Sequence, residues 1–316
     1  EIAEQISADF AAHGGLIGMD DLAQYGVTKA DPVWGSYRGR NIASSPPPGS
    51  GFPMLELLHI LENFDLEAMG HGSTMYVRTL FEAMKRMTID KDLHMGDPAY
   101  VDVPVQALLS KEHAAQLADA IKRGERGNVE RLDMSQRDTT HISVIDKEGN
   151  AVALTHSLGS PSGAITEGLG FMYNGLMGRF DPRPGRPASI APRKRRASSA
   201  APTIVFEDGQ PSIVIGAPGG SYIAPTVAQG IVNMIDFDMN IHAAVSAPRL
   251  VGVSNSSDIC NRIRRSVADE LRAEGYEVLR SPQTYAFAAL HGIRVENGVS
   301  SGAADPQRDG MAISVD

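Results

Sequence analysis

The chain is short of cysteine, of aromatic residues, of positive charge and of long apolar runs, and each shortage excludes something. Its one cysteine, Cys260, cannot form an internal disulfide, so stability does not rest on a disulfide framework, and the compartment stays open. Lys plus Arg number 29 against 38 Asp plus Glu, a formal net charge of −9. Nucleic acid and anionic membrane surfaces want a basic face, so neither is an expected partner. Apolar stretches end well before a bilayer-spanning length. His-Glu-x-x-His is absent, and so are Cys or His pairs at zinc spacing; no metal and no cofactor are expected. Gly168-Leu169-Gly170 lacks a later glycine and a preceding strand, which argues against a dinucleotide. Gly216-Ala217-Pro218-Gly219-Gly220-Ser221 lacks the lysine of a phosphate loop. The basic run Arg193-Lys194-Arg195-Arg196, on an acidic chain, reads as a solvated loop.

What is present is 316 residues with 42% hydrophobic content, enough for one large or two modest domains. Aromatics at 6%, with 32 glycines and 19 prolines, favour a loop-rich enzyme over a bundle. The first part reads mostly helical. Met54, Leu57, Leu58 and Leu61 form one apolar stripe, and Ala114, Leu117, Ala118 and Ile121 form another after an N-cap at Ser110. Before both, between Asn41 and Phe52, Pro46-Pro47-Pro48-Gly49-Ser50-Gly51 cannot be helix; it is a rigid connector or a loop edging a site. The polar stretch from Arg123 to Asp138 reads as exposed or flexible. The period then switches to strand. His141–Ile145 and Ala151–Thr155 flank a Gly-containing turn, as do Thr203–Phe206 and Ser212–Ile215, and Ile293–Val295 and Val299. Helices are expected near Tyr222–Ile235 and Arg265–Glu274. Strands grouped with helices, rather than alternating with them, give an α+β class.

Two segments can carry chemistry. An internal threonine hydroxyl is a poor nucleophile, but cleavage between Asp138 and Thr139 would place a new α-amine beside the Thr139 hydroxyl to take its proton. The same Thr-Thr pair is also what β-propensity alone would put at a strand start. At Gly216–Ser221 a strand runs through two glycines toward a helix. Free N–H groups there suit an oxyanion hole, and an ordinary tight turn would look the same.

Thr139-Thr140-His141-x-Ser143-Val144-x-Asp146-x-x-Gly149-Asn150-Ala151-Val152 resembles the start of the small subunit of γ-glutamyltranspeptidases. The resemblance continues through Ser198-Ser199, Pro202-Thr203-Ile204-Val205, Gly216-x-Pro218-Gly219-Gly220, Ala247-Pro248-Arg249 and Asp305-Pro306. Upstream, Gly14-Gly15, Asp20-Asp21-Leu22, the triple-proline loop and Gly96-Asp97-Pro98 resemble the large subunit. The resemblance implies a four-layer αββα sandwich of the N-terminal-nucleophile hydrolase type, with residues 1–138 as the C-terminal part of the large subunit and 139–316 as the small one. An earlier large-subunit segment, which in the family carries an arginine for the donor carboxylate, is expected in addition. It further implies an autoprocessing amide hydrolase or acyltransferase whose two subunits form a heterodimer around a small amide or peptide substrate. Thr139 would be nucleophile and, through its amine, general base. Ser157 would contact that amine, Gly219 and Gly220 would hold the oxyanion, and Ser198 and Ser199 would bind the donor carboxylate.

The chain departs from the family where the donor's α-ammonium is read. Gly159, Leu176 and Arg179 stand at those places. Arginine repels an ammonium and leucine cannot accept a hydrogen bond. The expected acyl donor therefore lacks a free α-amine and carries a carboxylate, as glutaryl or oxamate-like amides do, with Arg179 or a nearby base meeting it, or Arg179 instead facing solvent or a structural pair. A glutathione-type substrate and an uncleaved, non-catalytic scaffold are the alternatives. Between Phe180 and Ser198 the segment is short and proline-stiffened, which favours an open pocket and hydrolysis over transfer.

Overall fold

The computed structural model describes residues 1–130 and 138–315, residue 138 through its backbone alone. Among them are ten α-helices: α1 (Ile2–Ala12), α2 (Met19–Gln24), α3 (Gly51–Leu61), α4 (Leu66–Met69), α5 (Thr74–His94), α6 (Val105–Leu108), α7 (Lys111–Lys122), α8 (Ile223–Ile235), α9 (Ile241–Ser246) and α10 (Arg265–Ala273). The strands are β1 (Val33–Tyr37), β2 (Arg40–Ser44), β3 (Asp138–Ile145), β4 (Ala151–Gly159), β5 (Thr203–Glu207), β6 (Gln210–Gly216), β7 (Leu250–Val251), β8 (Ser257–Ile259), β9 (Val278–Arg280), β10 (His291–Glu296) and β11 (Val299–Ala304). No helix among the described residues is long and apolar enough to cross a membrane.

An antiparallel six-stranded sheet, in the order β1-β2-β5-β6-β10-β11, forms the centre. Three of its hairpins turn on an αL pair ending in glycine: Arg38-Gly39, Asp208-Gly209 and Asn297-Gly298 all have positive φ, which the tight two-residue turn demands. The first of these, β1–β2, lies in the region whose pattern reads as mostly helical. Trp34 and Ser36 show no clean alternation of burial there, so the period-2 signal is weak. Helices α3 and α8 pack over one face of this sheet, and the β3–β4 hairpin packs over the other. The α+β class and the paired sheets are as expected from the sequence. The three short strands β7, β8 and β9 form a separate small sheet.

Helix α3 is the hub. Pro53 sits in its first turn, where no intrahelical acceptor is required, and every residue from Gly51 to Leu61 is buried. The apolar stripe is real, but the helix is enclosed all round, so Glu56 and His59 are buried as well. Helix α7 begins as the sequence predicts: the Ser110 hydroxyl accepts from the His113 N–H at 3.1 Å. The 21-residue helix α5 carries no apolar stripe strong enough to predict it. It buries Glu82, Lys85 and Arg86 as a network, with Arg86 donating to Glu82 at 2.7 Å and to the Glu125 carbonyl at 2.7 Å.

Residues 123–130 are mostly exposed, as the sequence reads, but that network and its neighbours tie them down. Gly127 N–H donates to Glu82 at 2.7 Å, Val129 N–H donates to Asn255 at 2.8 Å, and Arg126 stacks 4.3 Å from the Tyr276 ring. Glu125 and Gly127 are tied to charged groups on α5 that no local pattern shows. The remainder of that expected stretch, residues 131–137, lies outside the described residues.

Candidate active site

Alternation along the β3–β4 hairpin determines which side chains face the six-stranded sheet. Thr139, His141 and Ser143 point inward opposite Ser157, Thr155 and Ala153, while Thr140, Ile142 and Val144 point outward. The pairing register shifts between Asp138 and Thr139, so a β-bulge sits on the bond expected to be cleaved. Bulges loosen a ladder and re-aim side chains, and they recur beside active sites. Directly after it, the Thr139 Oγ1 lies 2.8 Å from the Ser157 Oγ. Ser157 in turn accepts from the Gly159 N–H at 2.9 Å. The Thr139 carbonyl is clamped by Arg308 Nη1 at 3.0 Å. Sequence reasoning did not single out Arg308; only the Asp305-Pro306 motif just before it gave a signal. Asp305 anchors that loop through a buried ion pair with Arg249 and by accepting the Gln307 N–H at 2.9 Å.

His141 supports the same hairpin from below. Its Nδ1 is 2.8 Å from the Thr155 hydroxyl and its Nε2 is 3.0 Å from that of Ser143. Burial, with repulsion from His291, depresses its pKa to about 3, so the ring is neutral. Gly216 makes room for it: a Cβ there would lie 2.2 Å from the His141 ring.

Thr139 and Ser157 open onto a cavity of about 690 Å³. Gly159, Arg179, Ser198, Ser199 and Gly220 also line it, so the structure brings together most of the residues that the sequence singles out. Gly219 does not line the cavity. It has φ +148° and a Cβ on it would lie 2.3 Å from the Ala288 Cβ, so the chain can pass there only as glycine. Gly220, with φ +61°, lines the cavity and opens the 3₁₀ turn Gly220–Tyr222 that leads into α8.

The triple-proline loop does not edge this cavity; it braces the wall from behind. Pro48 O accepts from Ser198 N–H at 2.7 Å, Ser50 Oγ donates to Ser198 O at 2.7 Å, and Ser50 N–H donates to Ala200 O at 2.9 Å. Of the two readings left open by composition, rigid connector is the one the geometry supports. Phe180, Asp181 and Arg186, from the short segment before Ser198, form another part of the cavity wall. Asp181 is held to about 2 by hydrogen bonds from Arg183, so this pair is ionised and self-satisfied.

Two further features were not legible in sequence. Leu176 fills the space beside Gly159: a Cβ on Gly159, itself at φ +72°, would meet Leu176 Cδ2 at 2.2 Å. And Arg196 of the basic run is not part of a solvated loop but lines the cavity, whereas Arg193 bonds Gln24 at 2.6 Å and Arg195 N–H donates to Asp97 at 2.7 Å. Among the described residues, one group of side chains could ligate a cation: Glu56, Asp90 and His113 on helices α3, α5 and α7. Burial and the neighbouring Asp90 raise the Glu56 carboxyl well above its ordinary range, so a proton already answers its charge.

The family described as Gamma-glutamyltranspeptidase matches residues 1–315. The Acylase ACY 1 proenzyme of Pseudomonas sp. (strain V22) is 37% identical over 311 residues, 96% of this chain and 55% of that protein. The Glutathione hydrolase proenzyme of Escherichia coli (strain K12) is 39% identical over 269 residues, 78% of this chain and 46% of that protein. The crystal structure of cephalosporin acylase from Bacillus halodurans superposes with a TM-score of 0.86 at 27% identity, over 98% of this chain and 57% of that one. The chain thus spans about half the length of the curated relatives it matches. On the match along its whole length, the chain belongs to the gamma-glutamyltranspeptidase family.

Proposed function

We propose that this chain forms the nucleophile-bearing part of an autoprocessing amide hydrolase, cleaved between Asp138 and Thr139 into a large-subunit portion, 1–138, and a small subunit, 139–316, that remain together as a heterodimer. The observation that carries the reading is the Thr139 hydroxyl at the cavity, 2.8 Å from Ser157 Oγ. After cleavage the new α-amine of Thr139 takes the Oγ1 proton, and Oγ1 attacks the substrate's amide carbonyl. Of the two glycines expected to hold the oxyanion, Gly220 lines the cavity and its backbone N–H receives the charge; the Thr139 α-ammonium then hands its proton to the departing amine as the intermediate collapses to an ester on Thr139. Water, activated by the same α-amine, then releases the acid.

The proposed acyl donor lacks a free α-amine and ends in a carboxylate, glutaryl amides being the simplest case. Support comes from the packed Leu176 and Gly159, which present no side-chain acceptor to an ammonium, and from Arg179, which repels one. Ser198 and Ser199 supply hydroxyls for the carboxylate. Relatives named acylase are consistent with this donor. A glutathione-type donor is the second reading, favoured by the relative named glutathione hydrolase. A panel of γ-glutamyl and glutaryl anilides separates the two: faster turnover of the γ-glutamyl compound would sink the first.

Thr139→Ala should leave one uncleaved chain by mass spectrometry and lower kcat by at least about 10³-fold. Thr140→Ala, whose side chain points away from the cavity, should retain cleavage and most turnover. An intact chain that still hydrolyses amides would refute the mechanism, and an intact, inactive wild-type chain would favour a scaffold.

A further inference from the structure

The turn that carries Gly220 is held from outside by a loop that the mechanism does not use. Between β9 and β10 the chain lays three consecutive residues on that turn. The Phe287 ring meets the Tyr222 ring edge to face, with centroids 5.7 Å apart. Ala288 lies so close to Gly219 that a Cβ there would come within 2.6 Å of the Ala288 Cα. Ala289 N–H donates to the Pro218 carbonyl at 3.0 Å. Gly220 is thereby bracketed on both sides, and Tyr222 N–H donates to the Gly219 carbonyl at 3.2 Å to close the turn. The loop is tied at both ends. The Thr284 carbonyl accepts from Arg262 Nε at 2.9 Å and from Cys260 Sγ at 3.1 Å, and Leu290 N–H donates to Asp305 at 3.2 Å. Between these anchors Phe287 has φ +75°. Bulky residues avoid that region and persist in it only where the surroundings force them. Glycine would adopt this φ freely, but only a ring reaches Tyr222.

We infer that Phe287 is a positioning residue for the oxyanion: from its strained backbone conformation it holds the strap of residues 287–289 against the turn and fixes the aim of the Gly220 N–H. The inference rests on the functional reading above and adds to it a residue that does not line the cavity. An oxyanion donor works by being aimed before the charge arrives. A turn free to relax therefore weakens the transition state more than it weakens the bound substrate.

The test uses the full protein with three variants. Phe287→Gly relaxes φ and removes the ring, Phe287→Ala removes the ring alone, and Phe287→Tyr keeps it. The substrate is whichever of the γ-glutamyl and glutaryl anilides the wild type turns over faster. In Phe287→Gly and Phe287→Ala kcat should fall at least about tenfold with KM held within about twofold, while Phe287→Tyr should keep about half of kcat or more. Two inhibitors then separate aim from binding. In ω-boronobutanoate the boron takes up the Thr139 oxygen as the hydroxyl proton passes to the α-amine, giving a tetrahedral anion; butanoate has the same chain and carboxylate without the boron. The boronate inhibition constant should rise by about the factor that kcat loses, and that of butanoate should stay within about twofold. The Tm of Phe287→Gly should stay within about 3 °C of the wild type, because relief of the backbone strain opposes loss of the ring contact. An unchanged kcat in both ring-less variants would overturn the inference. So would their failure to fold, or a loss in which KM, both inhibition constants and Tm move together, since each marks Phe287 as merely structural. A wild type that stays uncleaved and turns over neither anilide refutes the functional reading beneath it; a cleaved, active wild type matched by its ring-less variants refutes the strap alone.

Discussion

Glu56 sits in the middle of α3 with no exposed surface, and no N–H or hydroxyl donor reaches either carboxyl oxygen. Asp90 lies alongside and His113 Nε2 is 3.7 Å from Oε1. Burial first, then Asp90, raises the carboxyl well above its ordinary 4.5, so it keeps a proton and gives it to a hydrogen bond with Asp90. In the unfolded chain that proton leaves near pH 4.5. Above that pH folding must take one up, and stability declines with rising pH by up to about 1.4 kcal/mol per unit until the folded carboxyl ionises. Glu56→Gln keeps the shape without the proton. Its stability relative to wild type, by urea denaturation, should rise between pH 5 and pH 8; an equal loss at both would show that the carboxyl is needed as an anion. Gly159 makes a second residue-scale prediction. Gly159→Ala forces a methyl into Leu176 at a φ that side chains avoid, and should cost about 1–3 kcal/mol. Leu176→Ala in the same chain should recover part of this.

At the scale of elements, legibility followed how local each signal is. The β3–β4, β5–β6 and β10–β11 hairpins were readable because a period of two and a Gly-bearing turn lie within a few residues. The Ser110 cap was readable for the same reason. Helix α5 was not, because its buried face is built from Glu82, Lys85 and Arg86, whose partners at Glu125 and Gly127 lie about 40 residues on. The hairpin β1–β2 was hidden by Trp34, which remains half exposed against Phe206, with ring centroids 5.5 Å apart. Within the site, Thr139, Ser157, Ser198 and Gly220 were found through motifs. Arg308 was not, since it acts through the Thr139 carbonyl, remote in sequence.

For the whole molecule, the buried imidazoles set the response to acid. His141 is depressed to about 3, chiefly by burial, and His59 to about 4 by burial and Lys111; His71 and His291 are lowered as well. The unfolded chain protonates these rings below about 6.5 while the native one does not, so stability is present above that pH and is lost as pH falls toward the folded values. His141 and His59 together give a slope on the order of 2 kcal/mol per pH unit below pH 6. Glu56 opposes this with rising pH. The unfolding free energy should therefore peak near pH 6.5, measured by urea titration at several pH values, and His59→Gln should flatten the acid limb. An acid limb unchanged in that variant would show that the ring titrates normally. One surface also belongs at this scale: Ile142, Val144, Val152 and Leu154 form an apolar outer face on the β3–β4 hairpin, each about half exposed.

The order of residues determined by itself the local turns, the strand that begins at Thr139, the glycines that follow β6, and the family to which these motifs belong. Each depends on backbone sterics or on spacing within a few residues, which a linear string carries in full. Tertiary structure decided what surrounds them: Ser157 against the Thr139 hydroxyl, Leu176 in the space beside Gly159, Arg308 on the Thr139 carbonyl, and a neutral Glu56. Charge and desolvation act through space, so the state of a buried group depends on neighbours whose positions in the chain do not predict their distance.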